Sequence, residues 1–209
     1  MIIGFAHIAI NTDKIEDLKK LYCNNGYLES NSFYSVKNHS SKKSFCYSFQ
    51  KNHDLIILNS TKNFFSIELT CHGKTTGFNK QLKIEDKKII VKTQMAKEFH
   101  KFCSQGLGFS SISNRNIKFS SINPSWSCEL IIEKKDSNSS RIDANGPSCL
   151  AFYSSNIIED RKNLIKLGAT DYSDVFNLSL GVKSMDIFMT RAPGGILIEL
   201  IQIRKNNDS

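Results

Sequence analysis

No cysteine in this chain belongs to a C-x-x-C pair. The six are Cys23, Cys46, Cys71, Cys103, Cys128 and Cys149, and their spacing excludes a zinc ribbon or a thioredoxin-type motif. Cys128 and Cys149 sit in apolar stretches and read as small core residues. No run approaches the roughly 18 apolar residues that argue for a membrane span. Residues 1–10 are too short an apolar stretch for a secretory leader, and polar residues follow without a cleavage pattern. The expectation is a cytoplasmic protein with free thiols. Blocks of one charge are also missing. The formal charge is +8, but the lysines fall in scattered pairs at 19–20, 42–43, 87–88 and 134–135. No recognition helix or nucleic-acid motif accompanies them, so nucleic acid is not an expected partner. The basic balance suits a small anionic substrate, such as a carboxylate, a CoA thioester or a sugar phosphate.

With 209 residues, 40% of them hydrophobic, the chain can bury a substantial core. Its most distinctive segment is Arg191-Ala-Pro-Gly-Gly-Ile-Leu-Ile-Glu-Leu-Ile-Gln202, a Pro-Gly-Gly turn running into an apolar strand with a central carboxylate. The design recurs as Phe65-Ser-Ile-Glu-Leu-Thr-Cys-His72 and as Ser127-Cys-Glu-Leu-Ile-Ile132. A charge inside an apolar strand is costly unless paired or bound to a cation. Three such strands indicate a repeated unit.

The other end of each unit repeats too. Residues 7–21 and 150–164 align without a gap as strand, polar cap and helical pattern. Asn11, Thr12 and Asp13 offer capping oxygens, as do Ser154, Ser155 and Asn156. Gly26 and Gly168 suit the helix ends. In the middle, 88–94 reads as a strand and 96–103 as a helix, with Gly106 or Gly108 as its stop. Further strands are expected over 32–36, 44–49 and 55–58 in the first unit. The second has one over 117–122, and the third has strands over 173–180 and 184–190. The fold class is therefore α+β, with β-α-β-β-β units, two full and the middle one truncated. The expected modules are 1–73, 84–134 and 146–203, with a polar tail over 204–209 and linkers over 71–81 and 136–147.

On Phe5-Ala-His-Ile-Ala-Ile10, Ile67-Glu-Leu-Thr70 and Pro193-Gly-Gly-Ile-Leu-Ile-Glu-Leu-Ile-Gln202, the chain resembles the vicinal oxygen chelate superfamily. That group includes glyoxalase I, methylmalonyl-CoA epimerase, extradiol dioxygenases and bleomycin-resistance proteins. The resemblance covers residues 1–73 and 146–203, and 84–134 only in outline. It implies paired modules forming a cupped mixed sheet around a divalent metal, with ligands from the first and last strands of each module. By that resemblance His7, Glu68 and Glu199 match metal ligands, and Leu150 falls on the remaining ligand position. The implied cofactor is Zn, Ni, Co, Mn or Fe(II).

One first-strand histidine does not make the 2-His-1-carboxylate set of an extradiol dioxygenase. The expected activity is that of a metal-dependent isomerase or lyase on a small anionic oxygenated substrate. Glu129 or Glu199, if free of metal, would serve as general base, and Arg191 would hold an anionic group of the substrate. The alternative is a metal-free protein of the same fold that captures a small molecule. His72 shares a strand face with Glu68 if that strand continues, though Gly73 makes it read as a loop residue. If the first and third units pair, His7, Glu68 and Glu199 converge. If the second and third pair, only Glu129 and Glu199 do. A homodimer would complete the sheet of the unpaired unit.

Overall fold

All three units start their helices with one local device. A hydroxyl at the end of the first strand accepts from the backbone N–H two residues on. Thr12 Oγ1 takes Lys14 N–H at 3.0 Å, Thr93 Oγ1 takes Met95 N–H at 3.1 Å, and Ser154 Oγ takes Asn156 N–H at 3.1 Å. Such side-chain bonds draw the backbone out of a strand and into a turn. In the third unit Asn156 then caps the helix by accepting from Glu159 N–H. The first helix has no side-chain cap of its own. Its nearby Asn11 is buried in the sheet interior instead. Gly26, Gly108 and Gly168 follow the three helices with positive φ, where a Cβ would be disfavoured.

The computed structural model describes residues 1–204 apart from Asn63, Thr76, Asp86 and Ser137. Beyond Arg204, the expected tail lies outside the described residues. The first unit comprises β1 (Ile2–Asn11), α1 (Ile15–Asn24), β2 (Tyr27–Lys37), β3 (Asn52–Ser60) and β4 (Ser66–Cys71). The middle unit is preceded by β5 (Leu82–Glu85). It runs through β6 (Lys88–Thr93), α2 (Ala96–Gly106), β7 (Ser110–Ser111), β8 (Asn116–Phe119) and β9 (Cys128–Lys134). The third has β10 (Gly146–Ser154), α3 (Ile157–Lys166), β11 (Phe176–Leu180), β12 (Lys183–Arg191) and β13 (Leu197–Ile203). The middle unit is the short one, with β7 reduced to two residues.

One expected strand does not form. Residues 44–49 overlap a 3-10 turn, Ser40–Phe45, and the coil after it. The backbone N–H groups of Tyr47 and Ser48 bond to the Asp143 carboxylate at 2.9 and 2.6 Å rather than to a neighbouring strand. The segment crosses over the sheet and drops Phe45 into it.

The first and third units pair. Their strands make an eight-stranded sheet in the order β11-β12-β13-β10-β1-β4-β3-β2. At its centre β1 and β10 run antiparallel, each flanked by a parallel partner, β4 and β13. The middle unit builds its own sheet, β5-β6-β9-β8-β7. Both faces of the central strands are buried. On the convex face Phe5, Ile8, Leu150, Phe152, Ile198 and Leu200 join Phe99, Phe102, Phe109, Phe119 and Leu130 of the middle unit in one core. Edge-to-face contacts run from Phe65 through Phe5 to Phe152 and on to Phe109, with centroids 5.2–6.0 Å apart. The middle unit is thus packed against the paired units within the chain. Trp126 of the middle unit lies flat on Gly4, where a Cβ would come within 2.9 Å of Trp126 Cε3.

The concave face carries a second core of Ala6, Ala9, Cys149, Ala151, Ile187, Met189, Leu197 and Ile201, closed by Phe45 and Ile142. The small residues on the central strands leave space inside the curl of the sheet.

Candidate active site in the concave sheet

Three acid–base side chains meet on that concave face. Ala9 is opposite Glu68 in the β1–β4 pair, and Ala151 is opposite Glu199 in the β10–β13 pair. The two glutamates therefore flank the central strands two residues apart in level, Glu68 beside Ala9 and Glu199 at the level of His7, which pairs with Ala151. His7, on the same face of β1, brings Nε2 to 3.5 Å from Glu68 Oε2 and 4.0 Å from Glu199 Oε2. That Nε2 is buried and has no hydrogen-bond partner.

Burial dominates the electrostatics. It pushes the His7 imidazole down from 6.5 to about 4, although the Glu199 charge acts in the opposite direction. It pushes the Glu68 carboxyl up from 4.5 to about 7, against the Lys42 ammonium, which lowers it. Glu199 is also raised, chiefly by burial. The His7–carboxylate approaches meet a distance criterion for ion pairs, but a neutral imidazole at pH 7 makes no ion pair. The physical picture is a neutral base facing two desolvated carboxyl groups. Among the described residues no group of three His, Cys, Asp or Glu side chains is arranged to hold a metal ion. A bound ion at this place would need the three side chains to close on it.

The pairing also corrects the expected counterpart of His7. In β1–β4 the histidine lies two residues before the residue opposite Glu68. In β10–β13 the position two before Ala151 is Cys149. Leu150 points to the convex core. The gapless sequence alignment was one residue out, because strands buried on both faces carry no alternation to fix their phase. Cys149 is 1% exposed, and burial, then Glu199 and Glu68, raises its thiol.

His7, Glu68 and Glu199 line a cavity of about 380 Å³. Its walls are mainly apolar, among them Phe33, Ile57, Leu178, Leu180, Met185 and Ile201, with Tyr153 and Lys183 adding polar groups. The β11–β12 turn closes one side. A Cβ on Gly181 would lie 3.6 Å from Phe33 on β2, so the two edges of the sheet nearly meet there.

Other expected site residues lie elsewhere. Glu129 belongs to the middle sheet, paired with Lys88 at 2.9 Å, and does not line the cavity. Arg191 is 4% exposed and does not line the cavity, and its buried Nη2 has no hydrogen-bond partner. It donates to Ser140 O and Gly195 O at 2.9 and 3.0 Å and stands over the Phe45 ring. Strand β4 ends at Cys71, but His72 remains buried. Its ring stacks on His53 at 4.7 Å, and its Nδ1 meets Asn38 Nδ2 at 3.3 Å. Burial holds His72 near 3 and His53 near 2. Sequence reasoning passed over His53 because it stands among polar residues; its alternation with Leu55 and Ile57 was the available signal.

No protein-family model matches the chain, and no curated protein matches it. Among solved structures, methylmalonyl-CoA epimerase from Mycobacterium tuberculosis is 12% identical, covering 98% of this chain and 91% of that one, with a TM-score of 0.49. Glyoxalase I from Zea mays is 12% identical over 97% of this chain and 68% of its own, with a TM-score of 0.40. An integron cassette protein from V. cholerae is 17% identical over 54% of this chain and 90% of its own, with a TM-score of 0.39. The architecture itself, paired β-α-β-β-β modules curling one sheet into a cup, is the α+β fold class expected from the sequence.

Proposed function

We propose that the protein is an enzyme of isomerase or lyase type, which moves a proton at a carbon beside a carbonyl in a small anionic oxygenated molecule. One observation carries this reading: an unpartnered, buried His7 Nε2 faces two carboxyl groups at the base of a mostly apolar cavity. Apolar walls with a few convergent polar groups of perturbed acidity are the usual form of a small-molecule site.

Glu68 is the base in this proposal. With its carboxyl near 7, it can both take and return a proton at neutral pH. Glu199, across the central strands, would serve the opposite face of the bound molecule. His7 is neutral and offers either a hydrogen bond or a lone pair. Lys183, on the cavity wall, would attract the substrate's negative charge.

In donor type, though not in their present spacing, the three side chains also suit a divalent metal. One neutral imidazole nitrogen and two carboxylates suit Zn, Ni, Co, Mn or Fe(II), and Nε2 lacks any partner of its own. His7, Glu68 and Glu199 would hold the ion, which would supply Lewis-acid stabilisation of an enolate. Glu129 and Arg191 have no part in this site.

The test is hydrogen–deuterium exchange into 2-oxo acids and acyl thioesters, followed by NMR in D₂O with and without each metal. Glu68→Gln should slow exchange by about 10²–10⁴-fold. Absence of exchange under every metal condition would refute the enzyme reading. A second reading, a metal-free binding protein, is favoured by the mainly apolar walls of the cavity. Saturable ligand binding without exchange would support it.

A further inference from the structure

The two walls of the cup differ in chemistry. On the third unit, the side chains that reach the cavity form apolar rungs across neighbouring strands. One rung is Leu178–Met185–Ile203, on β11, β12 and β13. The next brings Ile187 and Ile201 up to Tyr153 of β10. All six residues line the cavity. Protein does not seal this wall. Leu178 and Met185 are half-buried, Ile203 is 55% exposed, and Val182, in the turn beyond, is 88% exposed. An apolar surface left open to water inside a concavity marks a place for a ligand.

The first-unit wall carries hydrogen-bonding groups as well as Phe33 and Ile57. Ser30, Asn31, Asn59 and Ser66 line the cavity there. Ser66 stands opposite His7 in the β1–β4 pair and donates to Asn59 Oδ1 at 2.9 Å. The Asn59 amide N–H groups remain as donors. Asn31 donates to Ser30 Oγ at 2.9 Å, which leaves its own Oδ1 as an acceptor. His7 and the two glutamates lie at the base between these walls. A ligand apolar throughout would strip water from the amides without replacing it. One polar throughout would leave the third-unit rungs wet. The pair of walls fits a molecule with one oxygen-bearing end and one aliphatic end. At roughly 30 Å³ for each non-hydrogen atom, a cavity of about 380 Å³ holds about a dozen of them. Lys183, opposite Leu180 at the end of β11, stands past the last rung, where it acts on an approaching anion.

We propose that the substrate is an oxygenated acid with an aliphatic chain, which lies along the rungs of β11, β12 and β13 while the oxygen-bearing end meets the first-unit amides. This deepens the reading above and rests on it for the position of the reacting carbon, which falls between the walls at Glu68.

Calorimetric titration of the full chain with straight-chain 2-oxo carboxylates of four, six and eight carbons tests this, in chelator and again with Zn²⁺. Affinity should rise about threefold for each added methylene, or about 80-fold from four carbons to eight. Met185→Gln and Leu178→Asn should each hold that gain below about 10-fold. Asn59→Ala should weaken all three acids alike, by about fivefold, and leave the gain with chain length intact. Two variants of the apolar wall guard against one failing to fold, which circular dichroism would show. Equal affinity for the three acids overturns the proposal, as does absence of binding by all of them under both conditions. A full gain with chain length in both folded wall variants also overturns it. So does an Asn59→Ala variant that binds as the unmodified chain does, or one that loses the gain. These are binding readouts and need no turnover. The expected gain without proton exchange would count against the reaction and leave the walls as assigned. Proton exchange without the gain would do the reverse.

Discussion

Replacing Glu68 by glutamine should stabilise the protein, and only above a certain pH. The glutamate is held near 7 in the fold, mainly by burial, whereas in an unfolded chain it ionises near its ordinary 4.5. Between those values the folded state keeps a proton that the unfolded state has released. Stability therefore falls as pH rises through this window. A rise from 4.5 to about 7 corresponds to roughly 3 kcal/mol. The full penalty is present above pH 7 and absent below 4.5. Glutamine has nearly the same shape and no charge, so it removes the penalty. His7 works in the opposite sense. Its folded value of about 4 against 6.5 means that the unfolded chain takes up a proton first, and stability is lost as pH falls from 6.5 to 4. The two slopes largely cancel between pH 4.5 and 6.5. Urea unfolding in chelator, read from the single Trp126, should show Glu68→Gln more stable by up to about 3 kcal/mol at pH 8. The variants should converge near pH 4.5, where the glutamine form should also show the steeper loss due to His7. Equal stability at pH 8, or a gap that persists at pH 4.5, would refute the assignment of a desolvated Glu68.

Gly4→Ala should cost about 1–3 kcal/mol, because its methyl would meet Trp126 at 2.9 Å; thermal unfolding and a shift in tryptophan emission report it. Asp143→Ala should cost about 2 kcal/mol through the two N–H groups it leaves unpaired at Tyr47 and Ser48. Hydrogen exchange should show faster exchange confined to the segment around them. NMR of the imidazoles should find His7 uncharged down to about pH 4; titration near 6.5 would mean that the ring is not desolvated. If the site binds metal as proposed, protein purified without chelator should lose it in His7→Ala and in Glu199→Gln, as elemental analysis would show.

Much of this arrangement was written in the chain. Apolar strands with a central glutamate, capping hydroxyls and post-helical glycines are local signals, and they located β4, β13, α1 and α3. His7 and both glutamates came from the same pattern. The remainder depends on contacts no local pattern holds. The phase of β10 was lost because Cys149 and Leu150 are equally suited to burial, so the residue facing the site was misjudged by one. Arg191 looked available at the mouth of a turn, yet carbonyls from residues 140 and 195 claim it. Lys42 sits in a polar stretch with Lys43 beside it, where nothing distinguishes the buried lysine from its neighbour. Glu129 repeats the strand design on a sheet that points elsewhere.

The central position of β1 has a consequence for how the chain is made. Ile8 pairs with Leu150, so the first strand synthesised waits for the tenth before its second edge is covered. The middle unit, whose strands pair within residues 82–134, can order itself while β1 still presents an open, apolar edge. Such distant closure is slow and leaves the half-made sheet prone to aberrant pairing. Residues 146–154 then carry the open edge themselves, and it is covered only when β13 (Leu197–Ile203) pairs with them, so the nascent sheet stays exposed until residues 197–203 are in place.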